Sequence, residues 1–427
     1  MKFATFVHFY TAAELTPFFL DTMTEELLNE LAKGNKNSLL KKRIITYYIY
    51  NGNSTITDLA KVLDLSIPTV TKLVEDMCQS GLVNSYGKLE TSGGRHPLLY
   101  GLNPDACYFI GVDIRRYALN IGLINFNGEL VEKQSFTDYA FENTREGLDN
   151  LCSIIRRFID SLIIDRSKIL NICVNVSGRV NPESGYSYSW FNFGEVPLSQ
   201  LMTEKVGYQV SIDNDTRAMT YGEYLRGGIS EKKHVLFINV SWGLGLGIII
   251  NGKIYSGMSG FAGEFGHTPV FDNGIICHCG KKGCLETEAS GCAIYRHLVE
   301  RVKAGEKSIL SEAIENNEHI TLEMIIDAIN REDTLCIELL EDLGYELGKH
   351  IAGLMNLFNP EMVIIGGVLS TVDDYLILPI KTAIKKHSLN MVNKDTVVKI
   401  SALRERAGMI GACMLARSRV FDITGSM

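Results

Sequence analysis

Apolar residues in the first quarter of the chain recur with a helical period. Leu39, Leu40, Ile44, Ile45, Tyr48 and Ile49 mark a helix over 38–50, and Asn51-Gly52-Asn53 ends it with residues that accept a left-handed C-cap. Ser54 and Thr55 start a short helix over 56–63, and Asp64-Leu65 makes a tight turn. Ser66 is an N-cap for a third helix, where Pro68 falls in the first turn and costs no internal hydrogen bond. In that helix Val70, Leu73, Val74 and Met77 lie at i, i+3, i+4 and i+7, one buried face, which leaves Thr69, Thr71 and Lys72 on other faces. Gly81-Leu82-Val83 then reads as a short strand, Tyr86-Gly87-Lys88-Leu89 as a turn, and Gly93-Gly94-Arg95-His96-Pro97 as a flexible loop. Helix, short helix, turn, helix and wing predict a winged helix-turn-helix over 37–100. Residues 1–36 form an extension with one amphipathic stretch, 21–32, and no motif.

The pattern changes after residue 100. Strands are expected over 107–113, 117–124 and 129–134, with Asn125-Phe126-Asn127-Gly128 turning the last two. A helix near 145–162 and a strand over 170–176 follow. The second half repeats this sense: strands at 234–240, 244–250 and 253–255, a long helix at 334–358, and a strand at 362–365. Two α/β lobes with a cleft between them are therefore expected over 101–427.

Charge changes the picture only when partitioned. The 427 residues carry a net −8, which at first argues against nucleic acid. Residues 37–97 nevertheless hold seven basic and five acidic side chains, and the acidity belongs to the larger C-terminal part. A third helix in the major groove would offer Thr69, Thr71 and Lys72 to DNA, and the wing would add Lys88, Arg95 and His96. A winged helix used for protein contact is the alternative. Composition is that of a globular chain, with 46% hydrophobic and 22% charged residues. No apolar run is long enough for a membrane span, and the start lacks a signal-peptide pattern, so a cytoplasmic protein is expected.

Three of the ten cysteines, Cys277, Cys279 and Cys284, crowd into eight residues; the rest stand alone in apolar or helical contexts and read as core. With His267 they form His-x9-Cys-x-Cys-x4-Cys, a donor set that suits a closed, structural tetrahedral zinc ion. His278 reads as a solvated spacer or as a substitute for His267.

These residues also carry a resemblance. Gly263-Glu264-Phe265-Gly266-His267, followed by Cys277-His278-Cys279-Gly280-x-x-Gly283-Cys284-Leu285-Glu286, resembles the signature of the ROK family of bacterial sugar kinases and sugar-responsive repressors. The Gly93-Gly94-Arg95-His96-Pro97 loop is similar to the wing of the repressor branch. The resemblance implies a two-lobed actin-like ATPase (ribonuclease H-like) fold over 101–427, with structural zinc. It implies sugar contacts at Asn214, Asp215, Glu264, His267 and Glu286, with Ser177-Gly178 facing the same place, and His267 shared between zinc and sugar. Carboxylates, an amide and an imidazole are the donors and acceptors that a hydroxyl-rich ligand needs.

The kinases of that family end their first strand in Asp-x-Gly-Gly-Thr, whose glycines let the backbone approach ATP phosphates. Here Asp113 is followed by Ile114-Arg115-Arg116-Tyr117, and arginine's Cβ and bulk block such an approach. The second loop, Ser241-Trp242-Gly243-Leu244-Gly245-Leu246-Gly247, and the Gly366-Gly367 turn keep glycines. ATP binding is expected to be lost or poor. The expected function is a homodimeric regulator, a repressor that a sugar or sugar phosphate releases from operator DNA. An active sugar kinase with Asp215 as general base is the alternative, and a zinc-stabilised scaffold for a transporter or other protein is a third reading.

Overall fold

The computed structural model describes residues 34–88, 96–421 and 423. The 21–32 stretch and Arg95 lie outside the described residues. The chain divides into two compact units. One runs to Val176 and adds Ser184–Ile212 and the segment from Ala412; the other comprises Ser177–Glu183 and Asp213–Gly411.

The first unit begins with the winged helix: α1 (Lys36–Asn51), β1 (Ser54–Thr55), α2 (Ile56–Leu63), α3 (Ile67–Gln79), β2 (Val83–Lys88) and β3 (Leu98–Leu102). Its boundaries follow the capping chemistry. The Thr55 side chain accepts from the Asp58 amide and Ser66 from that of Thr69, while Asp64 turns the chain in the left-handed region at φ 54°. Val70, Leu73, Val74 and Met77 are at most 3% exposed, so the spacing identified the buried face of α3. One expectation is corrected: Tyr86-Gly87-Lys88 is not a turn. Strand β2 runs through it, with a register irregularity between Ser85 and Lys88 that absorbs the glycine.

A short linker seats the winged helix on the next layer. Asn103 donates its side-chain amide to Gly81 O at 2.7 Å and its backbone amide to Leu82 O at 2.8 Å. The Phe126 amide donates to Pro104 O at 3.1 Å. The layer itself contains β4 (Tyr108–Ile114), β5 (Leu119–Asn125), β6 (Leu130–Phe136), α4 (Arg145–Ser161) and β7 (Ile169–Val176). After β8 (Val180–Asn181) of the second unit come β9 (Tyr186–Ser187), α5 (Leu198–Val206) and β10 (Val210–Asn214), which reaches the boundary. The sheet order is β10-β7-β4-β5-β6, with β4 parallel to β7 and antiparallel to β5. Strands β4 and β7 are buried along their whole length and are mostly apolar, with Asp113, Asn171 and Asn175 as their buried polar residues.

The second unit contains α6 (Asp215–Arg226), β11 (Val235–Val240), β12 (Leu244–Ile250), β13 (Lys253–Ile254), α7 (Gly291–Lys303), α8 (Ser311–Glu315), α9 (Leu322–Asn330), α10 (Thr334–Phe358), β14 (Met362–Gly366), α11 (Asp374–His387), α12 (Asn390–Asp395) and β15 (Val397–Ile400). Helix α13 (Ala407–Phe421) starts here and ends in the first unit. The sheet order is β13-β12-β11-β14-β15. Its β14-β11-β12-β13 portion repeats the β7-β4-β5-β6 order of the other sheet, as the strand pattern of the two halves implied. Leucines and isoleucines of α7, α9, α10 and α11 form the core on one face of this sheet. On the other face α6 lies close to β12. A Cβ on Gly245 would stand 2.3 Å from Thr216 Oγ1, and one on Gly247 1.7 Å from Thr220 Oγ1. These two glycines make room for a helix.

Candidate functional site

All seven expected sugar-site residues, Ser177, Gly178, Asn214, Asp215, Glu264, His267 and Glu286, belong to the second unit. Asn214 caps α6: its Oδ1 accepts from the Arg217 amide at 3.0 Å, and its Nδ2 donates to Gly178 O at 2.9 Å. Asp215 opens the helix, with Oδ1 accepting from the Thr216 amide at 2.7 Å and Oδ2 from Ser177 Oγ at 2.6 Å. The Ser177-Gly178 turn and the start of α6 are thus pinned together, with Asn214 and Asp215 half-exposed. Behind them Arg217 Nε donates to Asp213 in a buried ion pair, and Arg217 Nη1 donates to Gly260 O at 2.8 Å.

The cysteine loop folds back on itself. The Val270 and Phe271 amides both donate to Gly283 O, and the Leu285 amide donates to Thr268 O at 2.9 Å. Gly283 has φ 70°, and a Cβ there would lie 1.9 Å from Phe271 O, so no other residue fits without moving the loop. The fold brings the donors together: one ligand atom each from His267, Cys277, Cys279 and Cys284 lies within 4.8 Å of all the others. His267 Nδ1 stands 3.5 Å from Cys277 Sγ, and Cys279 Sγ stands 3.7 Å from Cys284 Sγ. Around a tetrahedral zinc, sulfur–sulfur edges are about 3.8 Å and sulfur–nitrogen edges about 3.6 Å, so the set fits such an ion. Burial pushes the Cys277 and Cys284 thiols up. Burial would raise Cys279 too, but hydrogen bonds from the Lys281 amide and the other two thiols, with the His278 charge, bring it below the usual range.

His267 turns its other nitrogen, Nε2, toward Glu264 Oε2 at 3.7 Å. Glu264 is exposed. Glu286 is buried, and both its oxygens are engaged: Oε2 accepts from the Leu244 amide at 2.9 Å, and Oε1 faces His278 Nδ1 at 2.8 Å. Burial would raise this carboxyl; the His278 and Leu244 hydrogen bonds and the charges of His278 and His267 outweigh it and hold it below the ordinary range. The Glu286 hydrogen bond in turn raises His278. His278 is therefore no mere spacer. His267, His278 and Glu286 also form an overlapping set of potential ligands within 4.8 Å. Spacing carried no signal for this pairing.

In the first unit Asp113 is buried, and Arg115 Nε donates to its Oδ2 at 3.1 Å. The Arg115 amide closes a tight turn onto Ala118 O at 2.8 Å. In the second unit Ser241 Oγ donates to Asn239 Oδ1 at 2.7 Å and accepts from the Val368 amide at 3.1 Å, tying the glycine-rich turn to the residue after Gly367.

On the winged helix, Thr69 and Lys72 are exposed on α3 and Lys88 on β2. The Thr69 hydroxyl is hydrogen-bonded to Ser66 Oγ at 2.7 Å, within the cap, and Thr71 is half-buried, its hydroxyl donating to Ile67 O at 2.9 Å. His96 is exposed.

An α/β chain with a winged helix, a loop of three cysteines and one histidine, and clustered carboxylates defines a class of DNA-binding proteins built on a sugar-kinase framework. The ROK family pattern matches residues 109–419 and a winged helix-turn-helix DNA-binding pattern matches 38–84. The chain belongs to the ROK family. It is 32% identical over 372 residues to the xylose repressor of Caldicellulosiruptor bescii, covering 85% of this chain and 91% of that protein. A solved ROK family transcriptional regulator, described as a homolog of the E. coli MLC protein, superposes with a TM-score of 0.75 at 28% identity, over 90% of this chain and 98% of the other. A Streptomyces griseus ROK glucokinase, solved with glucose and AMPPNP, gives 0.64 at 26% identity over 73% of this chain and 99% of its own. Among the described residues no helix is long and apolar enough to cross a membrane.

Proposed function

We propose that this protein is a sugar-responsive transcriptional regulator, a repressor whose operator affinity falls when a sugar or sugar derivative binds the second unit. The observation that carries the reading is the union, in one chain, of a winged helix with exposed Thr69, Lys72 and Lys88 and a cluster of Asn214, Asp215, Glu264, His267 and Glu286 on a ROK framework. Ser177 and Gly178 complete the ligand site. The winged helices of a homodimer read a pseudo-palindromic operator through Thr69, Thr71, Lys72, Lys88 and Arg95. Ligand binding shifts the dimer between arrangements of its two winged helices that differ in DNA affinity. The protein acts in the cytoplasm, where its operator is.

A structural zinc ion held by His267, Cys277, Cys279 and Cys284 fixes the loop that carries Glu264 and Glu286. The matching edge distances support it, and four protein ligands leave no open position for hydrolytic chemistry. Because Nδ1 of His267 faces the thiols, Nε2 is left for the ligand, which couples metal and sugar through one ring.

The framework retains Asp113 and Asp215, and a kinase is the competing reading. Against it, Arg115 and Arg116 stand where the kinases have glycines, and Arg115 occupies the Asp113 carboxylate. Asp215 is then a ligand contact. Gel-shift titration of operator DNA with sugars and sugar phosphates tests the proposal. A fall in operator affinity at micromolar to millimolar ligand is expected, and unchanged affinity across the panel would overturn the switch.

A further inference from the structure

We propose that the first unit carries a second ligand site, between the end of β6 and α4, for a small anion that also bears a hydroxyl or amine. A cavity of about 300 Å³ lies there, and its walls include Phe136, Asp138, Tyr139, Asn150, Ile154 and Arg157. Asn150, Ile154 and Arg157 are spaced i, i+4 and i+7, so one face of α4 supplies them. Phe136 ends β6, and Asp138 and Tyr139 follow it in the loop to α4. All six belong to the first unit, whereas the seven expected sugar-site residues belong to the second.

The loop is fixed at its far end. The Phe141 amide donates to Arg116 O at 3.1 Å, and Asn143 Oδ1 accepts from the Phe191 amide at 2.7 Å. Thr144 caps α4, its hydroxyl accepting from the Gly147 amide at 2.9 Å. A Cβ on Gly147 would lie 2.2 Å from Glu142 O, so loop and helix pack closely. The cavity is therefore built by the fold and not left by a loose connection.

Its polar groups are unspent. Tyr139 is 6% exposed, Ile154 5%, and Phe136 is half-buried, so the floor is largely apolar. Among the described residues the Tyr139 hydroxyl has no hydrogen-bond partner. A buried hydroxyl left unsatisfied is costly, and a ligand in the cavity would answer it. Burial pushes this hydroxyl up to about 12, so it keeps its proton and donates. Asp138, Asn150 and Arg157 are exposed, and among the described residues their side chains have no hydrogen bond or ion pair either. A guanidinium only donates and a carboxylate only accepts. A phosphate or carboxylate group therefore suits Arg157, and a hydroxyl or amine on the same molecule suits Asp138. An apolar floor with a few convergent polar groups is the usual form of a small-molecule site.

Calorimetry on the full-length wild type and on Asp215→Asn, which removes a contact of the expected sugar site, tests this. The compounds are glucose 6-phosphate, 3-phosphoglycerate, L-serine and inorganic phosphate, which separate phosphate from carboxylate recognition. One of the first three should bind one per chain in both proteins. Arg157→Gln should weaken it at least tenfold. Tyr139→Phe removes only an unpartnered hydroxyl, so it should weaken the ligand at least threefold without lowering the melting temperature. Binding that disappears in Asp215→Asn would belong to the sugar site and overturn the proposal, as would no binding at all. Unchanged affinity in either Arg157→Gln or Tyr139→Phe would overturn it too. Inorganic phosphate held as tightly as the organic anions would overturn the need for a hydroxyl or amine.

Discussion

Arg115 holds Asp113 in an ion pair two residues along the same strand end, Nε to Oδ2 at 3.1 Å, with the carboxylate side chain only 6% exposed. In a phosphate-binding turn that carboxylate and a bare backbone would both be needed. Here a guanidinium takes the first and its own Cβ obstructs the second. Magnesium-ATP at millimolar concentration should therefore leave the melting temperature unchanged, and a coupled ADP-release assay across hexoses should show no turnover. Turnover at the rate of a metabolic kinase would restore the competing reading.

Phe265 and Leu285 anchor the ends of the cysteine loop in the core, with Val270 and Phe271 packed against it. Ile276 near its tip is exposed, so the tip is the part whose shape should depend on the donors. Cys279→Ser should release about one zinc per chain and abolish ligand binding while the winged helix still binds DNA. Atomic absorption and calorimetry measure the two. Full ligand affinity in a zinc-free variant would remove the metal from the site's architecture.

The approach of α6 to β12 is set by Gly247 and Thr220. Gly247→Ala places a Cβ 1.7 Å from Thr220 Oγ1 and should cost about 1–3 kcal/mol in urea unfolding, as overpacked cores do. Adding Thr220→Ala should recover part of that loss, because it removes the clashing hydroxyl. Additive losses in the double variant would show that the contact is not the cause.

Lys72 is exposed on α3. Lys72→Ala should weaken binding to specific and random DNA alike and reduce the slope of log affinity against log salt by about one unit. An unchanged slope in fluorescence anisotropy would take Lys72 out of the phosphate contacts.

Asp333 caps α10, accepting from the Cys336 amide at 2.9 Å and the Ile309 amide at 2.7 Å. Burial would raise its carboxyl, but these amides prevail and hold it below the usual 3.8. A carboxyl depressed in the folded state stabilises fully above its unfolded pKa and loses that contribution as pH falls through the folded value. Asp333→Ala should cost about 1–2 kcal/mol at neutral pH, and the difference from wild type should shrink below about pH 4. Chemical unfolding at neutral pH and at about pH 3.5 checks both.

Much of this was legible in the sequence because it is local. The caps Thr55 and Ser66, the buried face of α3 and the all-buried strands β4 and β7 follow from periodicity and side-chain chemistry within a dozen residues. The donor set from His267 to Cys284 spans only eighteen residues, and the fold brings one ligand atom from each of the four within 4.8 Å of the others. The sequence also separated a mildly basic reader from an acidic remainder. The tertiary structure decided what local pattern cannot encode. It showed that Gly245 and Gly247, which resemble phosphate-loop glycines, leave room for Thr216 and Thr220 of α6. It set Ser177 on Asp215, and it placed His278, read as a solvated spacer, over the buried Glu286. Each depends on two segments meeting across the fold, and a hydrogen-bond partner is chosen by what burial brings within about 3 Å, which no spacing along the chain specifies.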